Sequence, residues 1–152
     1  MRDVVGVPAK ILLVEDNAAD VRLTRESLKD CRIINELFVS RDGEDAIQFL
    51  GQEGRHGSAP RPDLVLLDLN LPGKTGKEVL SFAKGRDDLR EIPVIILTSS
   101  RAKHDILQAY AMHANCYISK PLDLEEFSEV VQAIEEFWFT IVKMPRDAKD
   151  FN

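Results

Sequence analysis

Residues 62–70 read Pro-Asp-Leu-Val-Leu-Leu-Asp-Leu-Asn and restrict the fold more than any other stretch of the chain. An unbroken apolar run, Leu64 to Leu67, lies between a proline-led turn and a carboxylate, Asp68. A short run of this kind suits a strand buried on both faces of a parallel sheet. Such sheets collect ligands outside the carboxyl ends of their strands, which is where Asp68 would stand. Taken alone, Asp68 reads as readily as the cap of the following loop, because aspartate is common in turns. The ends of the other strands decide between the two.

The pattern recurs along the chain. Lys10-Ile-Leu-Leu-Val-Glu15 ends at Glu15-Asp16, Leu37 to Ser40 at Ser40-Arg41, Pro93 to Thr98 at a threonine, and Asn115 to Lys120 at a lysine. Between these runs the spacing turns helical. Helices are predicted over 18–30 (Val21, Thr24 and Leu28 inward), 44–52 (Ala46, Ile47, Leu50), 77–85 (Val79, Leu80, Ala83) and 103–113. A last helix over 124–142 carries an apolar stripe of Phe127, Val130, Val131, Ile134, Trp138 and Ile141. Residues 51–62, rich in Gly, Pro and charge, read as a surface loop. Five strands alternating with five helices predict one doubly wound α/β domain over residues 10–142, with a lead at 1–9 and a short tail at 143–152.

Composition narrows the function. A net charge of −6 with no Lys/Arg cluster argues against binding the phosphate backbone of nucleic acid. No run reaches membrane-spanning length and the N-terminus shows no signal peptide, so a cytoplasmic protein is expected. Cys31 and Cys116 have no CxxC neighbour and read as buried structural thiols. His113 and Cys116 make only a weak metal pair.

The strand ends then combine. A flavodoxin-like order, 2-1-3-4-5, sets the first and third strands side by side at the switch point. Glu15, Asp16 and Asp68 would meet there, and crowded carboxylates need a cation to stay ionised. Oxygen-only ligands suit hard Mg²⁺, which typically keeps waters and takes one or two carboxylates plus a phosphate. Thr98 and Lys120 approach from the other side with a hydroxyl and an ammonium, the groups that cradle a phosphoryl group. Thr98 alone is an ordinary strand residue and Lys120 alone a solvated lysine; their occurrence together at these strand ends is what carries weight.

On the motifs Val14-Glu15-Asp16, Leu67-Asp68-Leu-Asn-Leu-Pro72, Leu97-Thr98-Ser and Ser119-Lys120-Pro121, the chain resembles the receiver domain of two-component response regulators. The resemblance covers roughly residues 10–142. It implies that Asp68 accepts a phosphoryl group from a histidine kinase, and that Glu15, Asp16, Asp68 and the backbone carbonyl of Asn70 bind Mg²⁺. It also implies that Thr98 and Lys120 bind the phosphoryl oxygens, and that Lys120-Pro121 is a cis peptide. Tyr117 matches the family's switching aromatic, turning inward as Thr98 moves toward the added charge; the plainer reading is a static, half-buried tyrosine with its hydroxyl at the surface.

The loop at 51–62, the stretch Leu107 to Ile118 and the ending Glu136-Phe-Trp are similar to single-domain regulators that partner phytochrome-type kinases in bacteria. The ten residues or so after the last helix leave no room for an output domain, so the signal is expected to leave through this domain's own surface. Phe137, Trp138, Phe139, Ile141 and Val142 exceed what one helix face can bury. They predict a homodimer, or a dimer docking on a kinase, through the fourth strand, last helix and tail, unless the tail folds back over them. The competing class is a small aspartyl-phosphate hydrolase, which usually needs a second Asp two residues beyond the first. Asn70 stands at that place. A receiver-like interaction module that never meets phosphate is the third reading, and the complete set of strand-end residues argues against it.

Overall fold

Alternate residues of each strand enter different cores, and this places every helix. A computed structural model describes residues 8–30, 34–120 and 123–138. Strands β1 (Ala9–Val14), β2 (Asn35–Ser40), β3 (Leu64–Leu67), β4 (Val94–Thr98) and β5 (Cys116–Ser119) form one parallel sheet. Their order is β2-β1-β3-β4-β5, as expected from the sequence. Helices α1 (Ala18–Lys29), α2 (Gly43–Gly51), α3 (Gly76–Gly85), α4 (Lys103–Ala111) and α5 (Leu124–Glu136) alternate with the strands. Leu12, Val14, Val65, Leu67, Val94 and Ile96 pack with residues of α2, α3 and α4. Ile11, Leu13, Leu64, Leu66, Ile95 and Leu97 pack instead with α1 and α5. That division is the period-2 alternation of a strand, and each such side chain contributes about 1.5–3 kcal/mol by burial. No described helix is long and apolar enough to cross a membrane.

The register sets up the site. Val14 pairs with Leu67, Ile96 with Leu67 on the other side, and Thr98 with Ser119. The residues following β1, β3 and β5 therefore emerge at one edge together with the end of β4. Polar side chains start four of the five helices there: Asn17 caps α1, Asp42 caps α2, Thr75 and Glu78 form a capping box on α3, and Asp123 caps α5.

Several expectations shift. Phe49, not Ile47, is the buried neighbour of Ala46 and Leu50; Ile47 is half-buried. The 51–62 loop contains a 3-10 turn, Gly54–His56, whose Arg55 and His56 both bond Asp45 of α2, at 2.5 and 2.8 Å. Helix α4 stops at Ala111 because His113 takes a left-handed φ of 73°. β4 starts at Val94 rather than Pro93, since proline has no N–H to pair. The fourth strand is interior, flanked by β3 and β5 and buried throughout, with Ile95 lining a cleft beside α5. Residues 1–7, Cys31, Pro121 with its expected cis bond, Phe139, Ile141, Val142 and the tail at 143–152 lie outside the described residues.

Two of the described glycines are required by close approach, and a Cβ on the first, Gly43, would stand 2.0 Å from the carbonyl oxygen of Lys74. A Cβ on Gly76 would stand 2.3 Å from the carbonyl oxygen of Asp68 and 2.5 Å from Leu69 Cα. Backbone cannot give way there without moving Asp68. Gly76→Ala is expected to cost about 1–3 kcal/mol, as overpacking does, seen as a lower urea midpoint. An unchanged midpoint would show that the β3–α3 turn is not held by this contact.

Candidate functional site

Asp68 leaves β3 almost fully buried and is met by donors on both carboxylate oxygens. Its Oδ1 accepts from Thr98 Oγ1 at 2.6 Å and from the Asn70 N–H at 3.0 Å, while Oδ2 accepts from Lys120 Nζ at 3.1 Å. Backbone bonds hold these groups in place: Asp68 N–H donates to Val14 O at 3.0 Å, and Lys120 N–H to Thr98 O at 2.7 Å. Lys120 Nζ also reaches Glu15 Oε1 at 2.6 Å and Asp20 Oδ2 at 2.7 Å. The second oxygen of Glu15 accepts from the Asn17 N–H at 3.1 Å. Glu15, Asp16, Asp68, Thr98 and Lys120, expected from sequence to converge, do converge.

Glu15, Asp16 and Asp68 each offer a carboxylate oxygen, and these oxygens lie within 4.8 Å of one another. Glu15 and Asp68 are buried and Asp16 is exposed, so the cluster opens to solvent on one side. An all-oxygen, acidic, partly open donor set fits a hard divalent cation.

The charges are unevenly held. Burial pushes the Glu15 carboxyl up to about 7, with the Asp68 charge adding to the rise and Lys120 opposing it. Burial also acts to raise Asp68, but the Thr98 and Asn70 hydrogen bonds and the Lys120 charge outweigh it and hold the carboxyl below its ordinary range. For Lys120, burial would release the proton; its bonds to Asp20 and Glu15 reverse this and hold the ammonium above the usual lysine range.

The sign of the Glu15 shift gives a test. Its folded pKa of about 7 lies above the ordinary 4.5, so the folded form binds the proton more tightly. The stability this contributes is complete below 4.5 and is lost as pH rises through about 7. Asp68, shifted the other way, acts at lower pH. Chelator-treated protein is therefore expected to melt at lower temperature as pH rises from about 5 to 8, with excess divalent cation recovering the loss. A melting temperature that rises across this window without cation would contradict the assignment.

Beyond the carboxylates, Tyr117 is half-buried and donates its hydroxyl to Ser100 O at 3.0 Å, so that hydroxyl is engaged rather than left at the surface. Its N–H donates to Tyr110 Oη at 3.1 Å. Ser100 Oγ donates to Asp105 Oδ2 at 2.6 Å, and Lys77 Nζ reaches Asp105 Oδ1 at 2.7 Å, tying α3 to α4 across the β4–α4 loop. Asp20, Ser100, Asp105 and Lys77 were not anticipated from sequence. Asp20 carries there only the ordinary signal of an acid in a helix's first turn. Phe137 and Trp138 stand apart from this site, in a T-shaped ring contact at 5.6 Å beside an apolar cleft between β5 and α5.

The sequence model of the response regulator receiver domain matches residues 11–132. The chain belongs to that family. Response regulator Rcp1 of Synechocystis sp. is 47% identical over 145 residues, covering 95% of this chain and 99% of that protein. Among solved structures, the Mn²⁺-bound form of response regulator Rcp1 superposes with a TM-score of 0.87 at 48% identity, over 91% of this chain and 99% of that one. The phosphorylated cyanobacterial phytochrome response regulator RcpA superposes with a TM-score of 0.89 at 45% identity, with the same coverage. Response regulators, one of them a phytochrome response regulator, thus share this chain's fold along nearly their whole length at close to half of its sequence.

Proposed function

We propose that this protein takes a phosphoryl group from a sensor histidine kinase onto Asp68, with Mg²⁺ as the divalent cation, and passes the signal on by changing its surface. The observation that carries this reading is the convergence of Thr98 and Lys120 on the two oxygens of one buried carboxylate beside Glu15 and Asp16. A carboxylate oxygen of Asp68 forms an O–P bond while the P–N bond to the donor histidine breaks, its electron pair leaving with the imidazole. Thr98 and Lys120 donate to the phosphoryl oxygens as charge gathers there. Glu15, Asp16, Asp68 and the carbonyl of Asn70 would hold Mg²⁺, which when bound neutralises charge on those oxygens. The protein catalyses its own phosphorylation and dephosphorylation and no turnover of a separate substrate.

The added charge draws Thr98 with it. Tyr117 turns into the space Thr98 leaves, carrying the change to the loop at Ser100. The similarity to RcpA, a phytochrome response regulator, supports a phytochrome-type kinase as partner. A homodimer through the last helix is supported by an apolar cleft of about 380 Å³ lined by Ile95, Ile118, Val130, Ile134, Phe137 and Trp138. Ile95 at its floor is the fourth strand's contribution to that face. Incubation with acetyl phosphate and Mg²⁺ is expected to add one hydroxylamine-sensitive phosphoryl group per chain, and none with chelator. No mass increase with Mg²⁺ would overturn the reading.

A further inference from the structure

The Lys120 ammonium has three N–H donors and three carboxylate neighbours, and its two shortest contacts are not to Asp68. They run to Glu15 at 2.6 Å and to Asp20 at 2.7 Å, against 3.1 Å to Asp68. Asp20 comes from the first turn of α1, outside the group of Glu15, Asp16 and Asp68 whose oxygens converge. We propose that Asp20 is a positioning residue for Lys120, the carboxylate that keeps the ammonium in place when Glu15 and Asp68 turn to a cation. This rests on the reading above, in which Lys120 binds the phosphoryl group.

Three considerations support it. A lysine side chain is a point charge on a flexible four-carbon stem, and ordering it costs rotamer entropy. Short charge-assisted bonds from fixed carboxylates offset that cost. Asp20 is such a carboxylate: its N–H donates to Asn17 Oδ1 at 3.0 Å, its carbonyl accepts from buried Thr24 Oγ1 at 2.8 Å, and Val21 beside it is buried. Next, a divalent cation among Glu15, Asp16 and Asp68 claims the other two partners of Lys120 and repels the ammonium. Asp20 is the counter-charge that remains. Last, an acid at this position serves the helix dipole while facing solvent. Asp20 does not face solvent: its side chain is 23% exposed and aimed at Lys120.

When the phosphoryl group arrives, the Lys120 donor on Asp68 moves to a phosphoryl oxygen while Asp20 keeps its bond to the ammonium. Loss of Asp20 should slow the transfer itself rather than donor capture. The test is the phosphorylation rate against acetyl phosphate concentration at saturating Mg²⁺. Asp20→Asn is expected to lower the maximal rate about tenfold, the effect of one charge-assisted bond, with the half-saturating donor concentration changed less than about twofold. Asp20→Glu, which keeps the charge, is expected to regain most of the rate and guards against a folding effect of the amide. In a Lys120→Met background, Asp20→Asn is expected to have no further effect, because the residue acts through the lysine. A wild-type maximal rate in Asp20→Asn, or an equal loss in the Lys120→Met background, overturns the positioning role while wild-type labelling leaves the receiver reading intact. No labelling of wild type overturns both.

Discussion

Asp68→Asn is expected to keep the fold and to take no phosphoryl group from acetyl phosphate or a phosphohistidine donor. The amide matches the carboxylate in shape, so its oxygen can still accept from Thr98 and the Asn70 N–H, now at 2.6 and 3.0 Å from Oδ1. Its nitrogen would face Lys120, donor against donor, where Oδ2 now lies at 3.1 Å. Lys120 keeps Glu15 and Asp20 and stays charged. Removing one of three crowded carboxylates also relieves repulsion. These effects oppose each other, and the melting temperature should change little. The chemistry does not survive: an amide oxygen is a poor nucleophile, and the charge that would attack phosphorus is gone. Intact-mass measurement should show no added phosphoryl group under conditions that load wild type. A full label on the variant would move the acceptor to another carboxylate, with Glu15 and Asp16 the nearest.

The fold and most of the site were legible because both depend on local patterns that the topology brings together. Leu64 to Leu67 announced a doubly covered strand, and every one of them is buried. Glu15, Asp68, Thr98 and Lys120 could be anticipated because a parallel sheet sends all its strand ends to one edge. Most of what stayed hidden is held by long-range contact. Asp20 looked like any acid in a first turn, and its bond to Lys120 spans 100 positions in sequence. Asp105 and Lys77, 28 apart, meet only because the β4–α4 loop folds toward α3. Ile47 and Phe49 flank the face set by Ala46 and Leu50 on opposite sides, and sequence spacing cannot rank them when the loop covering α2 is unknown. Asp45 gathers Arg55 and His56 from that loop, and Phe49 meets the His56 ring at 5.2 Å.

Lys120→Met should damage the site through stability as well as chemistry. Methionine keeps most of the aliphatic stem and removes the ammonium. Glu15 and Asp68 are then buried carboxylates without their counter-charge, and their mutual repulsion raises the pKa of Glu15 further. Breaking a buried ion pair from one side typically costs about 3–5 kcal/mol. That loss should appear in urea denaturation of chelator-treated protein near neutral pH. It should shrink on acidification, because a protonated Glu15 no longer needs a partner, and a saturating divalent cation should recover part of it by supplying positive charge. Function should not return with the cation. Loss of one preorganised donor to a developing charge costs about 10²–10³ in rate, so the folded, cation-loaded variant should load phosphate slowly even with excess donor. Wild-type stability without cation would mean that Lys120 does not hold the carboxylates together. A wild-type labelling rate with cation would mean that it does not serve the phosphoryl group.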